Sequence, residues 1–210
     1  TLPSQILKLS KKYLNKPVRV SIKDNDVIEV NIKQHVVNLA HNDKHKELVN
    51  QINSRVGSIL IFVKTKYGTE KLTKRLSKNS IKATALHGGL RQNKRARIME
   101  NFRTEKIRIL VATDIASRGL DIPHIEHVIN FDLPQVSEDF IHRIGRTARA
   151  GSIGEAVSFV TANDSRIWKS IERILNLSKE KNSDSIIATV NSRKFKKRGF
   201  KKRGSKRRQA

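Results

Sequence analysis

The sequence predicts an α/β protein built on a parallel sheet with helices on both faces. Three observations carry this. From about residue 34 to 177, short apolar runs with a β-branched bias alternate with segments of helical period. The run "SILIFV" (58–63) is almost wholly apolar, as in a strand covered on both sides, where a half-buried strand would alternate. The polar clusters at 87–95, 113–121 and 142–151 each follow a strand or open a helix. That places them on the carboxyl-end rim, where such sheets bind ligands.

The elements follow in chain order. "SQILKLSKKYL" (4–14) reads as a helix with Ser4 as cap and Pro17 just past its end. "VRVSI" (18–22) is a strand, and "KDNDVIEVNIK" (23–33) reads as a linker with an extended portion. Residues 34–52 restart the pattern as a strand and a helix. "SILIFV" (58–63) is a buried strand, and 66–79 is a helix with Leu72 and Leu76 at helical spacing. Strand 81–86 is followed by a helix at 90–103, which places Ile98, Met99 and Phe102 on one side. "IRILVAT" (107–113) and "HVINFDL" (127–133) are strands. Ser137 is the expected cap of a helix at 137–144. Strand 154–160 leads to a helix at 163–176, capped by Asn163 or Asp164, with Trp168 assigned to the core.

Composition narrows the function. A net charge of +25 calls for an acidic polymer as partner, nucleic acid ahead of anionic membrane. No apolar run approaches the ~20 residues of a membrane-spanning helix. The chain has no cysteine, which removes disulfides and thiolate metal sites and fits a cytoplasmic protein. The last twenty residues, "NSRKFKKRGFKKRGSKRRQA", hold eleven Lys/Arg and no acid. The remainder keeps 33 bases against 19 acids. This tail repeats "FKKRG", has too little apolar content for a core, and is expected to be disordered. His124 and His127 lack a third ligand at metal spacing, so no metal site is expected.

The three polar clusters carry the chemistry. "HRIGRTARAG" (142–151) sets three arginines among glycines. Arginine forks suit phosphate oxygens, and glycine lets a bound group come close. "ATDIASRGLDIP" (112–123) offers a hydroxyl at a strand end, Thr113, and a carboxylate, Asp121, suited to ribose hydroxyls or to an arginine. "HGGLRQNKR" (87–95) opens a backbone of two glycines just before a helix N-terminus. Taken singly, each also fits a plain structural role: a basic loop, a capping Thr-Asp with an internal ion pair, an ordinary turn.

In order and spacing, "SILIFVKTK", "HGGLRQNKR", "RILVATDIASRGLDIP" and "HRIGRTARAG" resemble the second RecA-like domain of DEAD-box ATP-dependent RNA helicases, and within bacteria most resemble the RhlE-type group. The resemblance covers roughly residues 1–177. It implies that ATP with Mg²⁺ is shared with a first RecA-like domain and that RNA crosses the top of both, held without sequence preference. By the same resemblance, Arg146 and Arg149 are arginine fingers. Gly119 and Asp121 lie at the nucleotide. Gly88, Gln92, Arg95 and Thr113 lie at the RNA, and Arg118 and His142 link to the first domain. The family usually has glycine where Ala148 stands. A positive φ there would cost about 1 kcal/mol and tilt Arg149.

Neither a Gly-x-x-x-x-Gly-Lys-Thr loop nor an Asp-Glu-Ala-Asp cluster occurs in the sequence. Residues 1–22 resemble the end of the first RecA-like domain, 23–33 the linker, 34–177 the second domain, and 178–210 a basic tail. Helix 4–14 is therefore expected to be mobile, with its natural packing surface elsewhere, and the chain is expected to be inactive as an ATPase alone. Two other readings stay open at this level: an RNA-binding module acting through its tail, and a non-functional fragment of a split helicase gene.

Overall fold

The computed structural model describes residues 9–10, 12–15, 32–117, 125–148, 153–179 and 188–190. They form a seven-stranded sheet whose neighbouring strands pair in parallel. In chain order the elements are β1 (Ile32–Asn38), α1 (Lys44–Asn53), β2 (Ile59–Phe62), α2 (Lys66–Ser77), β3 (Thr84–Leu86), α3 (Gln92–Arg103) and β4 (Ile109–Ala112). There follow α4 (Asp114–Ser117), β5 (His127–Asn130), α5 (Ser137–Ile144), β6 (Gly154–Val160), α6 (Ser165–Lys179) and β7 (Ala188–Val190). The strands lie side by side as β3-β4-β2-β5-β6-β1-β7.

The apolar runs of β2 and β4 are buried at every residue, which explains their composition. Successive side chains serve opposite layers. Ile59, Ile61, Ile109, Val111 and Val157 join Leu48 and Ile52 of α1 and Leu72 and Leu76 of α2. Leu60, Phe62, Leu110, Ala112 and Ala156 join Ile98 of α3, Phe140 of α5 and Ile171 of α6. Helices thus cover both faces.

Several boundaries differ from the sequence reading. β1 begins at Ile32, inside the segment read as linker, because Ile32 is buried and pairs with Gly154 of β6. The strand expected at 127–133 ends at Asn130. Beyond it the Asp132 carboxylate accepts from the Lys64 N–H at 3.1 Å and from Lys44 Nζ at 3.0 Å, an arrangement a continuing strand would not make. Ser137 is not a cap: the extended residue before α5 is Val136, and the Ser137 hydroxyl turns to Glu138 at 3.2 Å. At α6 the helix is entered through a 3-10 turn, Ala162–Asp164, and Asp164 accepts from both the N–H and the hydroxyl of Thr161. Trp168 is half-buried. It meets Phe140 edge-on at 6.1 Å while its indole N–H reaches Glu172 at 2.8 Å.

Of the helix expected at 4–14, the described residues 9–10 and 12–13 are helical, and Leu9, Tyr13 and Leu14 are each more than half exposed. The strand expected at 18–22 lies outside the described residues. In the segment expected as tail, β7 pairs with β1, Val36 opposite Thr189.

Candidate nucleic-acid interface

The carboxyl ends of β2, β3, β4 and β5 open onto a groove of about 540 Å³. Lys64, Thr65 and Lys66 come from the turn after β2, Gly88 from that after β3, and Thr113 from that after β4. Gln135 and Val136 close the far side ahead of α5. Parallel strands end at one edge of the sheet, so these separate segments are bound to meet there.

The Gly88 segment is held from within. His87 is buried, its Nδ1 accepts the Gly89 N–H at 3.2 Å, and its Nε2 lies 2.8 Å from the Glu70 carboxylate. An accepting Nδ1 puts the ring proton on Nε2, where it donates to Glu70. Gly88 itself is exposed, and a Cβ there would meet nothing nearer than Lys66 Cε at 3.9 Å. Gln92 and Arg95 sit one helical turn apart at the start of α3. Arg95 Nη1 lies 3.5 Å from Gln92 Oε1, and Nη2 donates to the Ala116 carbonyl at 3.4 Å. The pair thus ties α3 to the Thr113 segment, whose N–H bonds the Leu86 carbonyl.

α5 delivers a second set. Asp139, His142, Arg143 and Arg146 share one face at helical spacing. With Phe62, Asp114 and Ser117 they line a small recess beside the groove. Arg143, the first arginine of "HRIGRTARAG", is 2% exposed. It makes two bonds to Asp114, one to Asn130 Oδ1 at 3.1 Å and one to the Asp132 carbonyl at 2.6 Å, and it stacks over Phe62 at 4.8 Å. Asn130 passes the network on to Ser158 at 3.0 Å. All four attachments are satisfied, so this arginine is a structural clamp with no fork left for a ligand. Arg146 is half-exposed and donates from Nε to the His142 carbonyl at 3.3 Å.

The turn after α5 is anchored by Thr147, which is buried and donates its hydroxyl to the Glu126 carbonyl at 3.0 Å. Gly154 lies so close that a Cβ on it would come within 2.6 Å of the Ala148 nitrogen. Ala148 has φ 56, the left-handed region that costs an L-residue with a Cβ.

The structure therefore gathers Gly88 and Thr113 in the groove, His142 and Arg146 in the recess, and Gln92 with Arg95 on the adjoining helix. Arg118, Gly119, Asp121 and Arg149 lie outside the described residues. Sequence reasoning missed Arg143 as a clamp, and also Lys44. Lys44 is buried and bonds the Phe131 carbonyl at 2.7 Å as well as Asp132.

At the opposite end of the sheet, Glu155 gathers Arg55 at 2.9 Å, His35 at 2.9 Å and His127 at 3.2 Å. Burial raises its carboxyl, but Arg55 above all, with His35 and His127, outweighs this and holds it below the usual range.

A family model described as the helicase conserved C-terminal domain matches residues 43–151. The ATP-dependent RNA helicase RhlB of Pseudomonas syringae pv. tomato is 39% identical over 176 residues, 83% of this chain and 44% of that protein. Eukaryotic initiation factor 4A of Caenorhabditis elegans is 36% identical over 191 residues, 89% of this chain and 47% of that protein. The chain thus spans less than half the length of these curated relatives. Among solved structures, the DEAD-box protein SrmB of E. coli, bound to regulator of ribonuclease activity A, matches with a TM-score of 0.67 at 31% identity, over 77% of this chain and 91% of that chain. S. cerevisiae Dbp5, bound to RNA and ADP BeF3, matches with a TM-score of 0.74 at 28% identity, over 90% of this chain and 49% of that chain. These relatives come from bacterial and eukaryotic branches and do not single out the RhlE-type group. A model covering over half the chain, a matching sheet and the motifs on its rim agree: the chain belongs to the helicase conserved C-terminal domain family, as that domain occurs in DEAD-box RNA helicases.

Proposed function

We propose that the chain is the second half of an ATP-dependent RNA helicase. Its groove holds RNA phosphates, and Arg146 is offered to the terminal phosphate of an ATP shared with a first RecA-like domain. The observation that carries this reading is the meeting of two sets on one rim: Gly88 and Thr113 in the groove, His142 and Arg146 in the recess beside it. Dbp5, whose structure holds RNA and ADP BeF3, shares this fold.

The residues fit a nucleotide's phosphates and not its metal. Arg146 is a half-exposed cation at the rim. The family resemblance assigns Mg²⁺ to the first domain. ATP, when bound, supplies the phosphoanhydride bond whose cleavage drives the cycle. Arg146 contributes charge: a guanidinium pre-oriented by the His142 carbonyl stabilises negative charge developing on phosphoryl oxygens without reorganising. The clamp of Arg143 on Asp114, Asn130 and Asp132 is what keeps α5, and so Arg146, in register with the groove. Arg149, Gly119, Asp121 and Arg118 keep the roles the family resemblance gives them. On the RNA side, Gly88 presents open backbone and Thr113 a hydroxyl. Contacts to phosphate and sugar position a strand without reading its sequence.

A second reading, RNA binding through the tail, is favoured by the eleven Lys/Arg of residues 191–210. One experiment separates the two. A chain ending at residue 190 is compared with its Gly88→Asp variant, a change the local space accommodates. The groove reading expects retained RNA binding that weakens about tenfold on placing an anion at Gly88. Complete loss of binding with the tail removed, or indifference to Gly88→Asp, contradicts it.

A further inference from the structure

The outer face of α2 has no part in the groove, yet it carries a row of exposed lysines. The helix starts at Thr65, whose hydroxyl accepts the Gly68 N–H at 2.9 Å, and it turns Thr69, Leu72 and Leu76 inward. Opposite that stripe, Tyr67, Lys71 and Lys74 on the helix and Lys78 at its C-cap recur at spacings of four, three and four. At 100° per residue these four positions fall within one narrow strip. All four are exposed, and Tyr67, at 76%, is among the most exposed large side chains of the described residues. The three lysines have no ion-pair partner among the described residues. The one acid of α2, Glu70, borders the strip one turn before Lys74 and is committed to His87 at 2.8 Å.

The strip starts at the groove. Lys64 and Lys66, which line it, immediately precede Tyr67, and the Lys66 stem runs along the glycine pair, 3.7 Å from a Cβ built on Gly89. From Tyr67 to Lys78 the helix advances about 16 Å, and successive lysines step by roughly 4.5–6 Å along the axis. That suits one flexible ammonium per phosphate of an extended strand. A flat aromatic at the mouth of the groove suits a base, since every base has a π-face to stack.

We propose that this strip is a second RNA surface continuous with the groove: a strand leaving past Lys64 stacks a base on Tyr67 and lays its phosphates along Lys71, Lys74 and Lys78. The inference rests on the RNA reading of the groove, and its test separates the two.

The full chain and the variant K71Q/K74Q/K78Q, in which glutamine preserves helix propensity, are titrated with ~6-nucleotide and ~20-nucleotide oligouridine over a range of salt. The wild-type chain is expected to bind the longer oligomer more tightly. The triple variant should lose most of that gain, with the slope of log K against log salt for the longer oligomer reduced by about 2. Its affinity for the short oligomer should stay within about twofold. Tyr67→Ala should weaken the longer oligomer about tenfold, and Tyr67→Phe should restore it. An unchanged long-oligomer affinity and slope in the triple variant overturns the strip. So does an equal loss for both oligomers, which would make the lysines a general charge reservoir. Failure of the wild-type chain to bind the short oligomer at all overturns the groove reading instead.

Discussion

Arg143 holds Asp114 with both arms of its guanidinium, Nε to Oδ1 at 2.6 Å and Nη2 to Oδ2 at 2.8 Å. The pair joins α5 to the turn after β4, and through Asn130 and Asp132 it joins both to β5. Two arginines three residues apart therefore do opposite things. Arg143 is buried and fully paired, so its charge serves the fold. Arg146 is half-buried beside His142 in the recess at the rim, where the proposed function gives its charge to the nucleotide.

That division predicts opposite mutational signatures. Asp114→Ala leaves the buried Arg143 guanidinium without its bidentate partner and should cost about 2–3 kcal/mol of stability, since Asp114 itself is partly exposed. Arg143→Lys should cost a comparable amount, because an ammonium cannot replace the planar fork. Arg146→Ala should cost less than about 1 kcal/mol. Urea unfolding monitored by circular dichroism reads all three. Equal losses for the two arginines would contradict the assignment.

Ala148 stands at φ 56, where the family usually has glycine. Ala148→Gly should relieve the left-handed strain, partly offset by the entropy glycine adds to the unfolded chain, for a net gain of roughly 0.5–1 kcal/mol. Thermal melts of the two chains settle the sign. A loss of stability would mean that the Ala148 methyl packs usefully, beside the core cluster it touches.

Acid should destabilise the fold in two separate windows. Glu155 is held below its usual carboxylate range, so the stability it supplies is full above about 4.5 and is lost as pH falls through its folded value. Glu155→Gln should be less stable than wild type at neutral pH, with the gap closing toward acid. His45 is also lowered, by burial and then by the charge of Arg75. The unfolded imidazole takes a proton near 6.5 while the folded one resists it, so stability falls as pH drops below that value. His45→Leu should flatten the decline between pH 7 and 5. Unfolding midpoints against pH distinguish the two variants, and parallel curves for wild type and His45→Leu would refute the second.

Much of this was legible in the chain. Within the runs 58–63 and 107–113, the stretches 59–63 and 109–112 are apolar at every residue and announce buried strands, and the structure buries β2 and β4 completely. The rim clusters announce themselves because strand ends in a parallel sheet must converge. Ala148 is legible as a possible strain point from its place in "HRIGRTARAG", and its φ is positive. The clamp was not legible. Arg143 and Asp114 are 29 residues apart, and Lys44 and Asp132 are 88 apart. A buried charge leaves no periodic trace, since its partner is fixed by strand order. Ser137 failed as a cap for a related reason. The helix entry is set by the tertiary path from Asp132, and that path put Val136 in the capping position.

The central claim is that Arg146 is a charge donated to a nucleotide held by another domain. Its most direct test is RNA-stimulated ATP hydrolysis by this chain joined to a first RecA-like domain, compared with the same assembly carrying Arg146→Ala. The account predicts turnover in the first and a loss of at least about a thousandfold in the second, with RNA affinity and fold stability retained. Turnover that survives the substitution unchanged would contradict it.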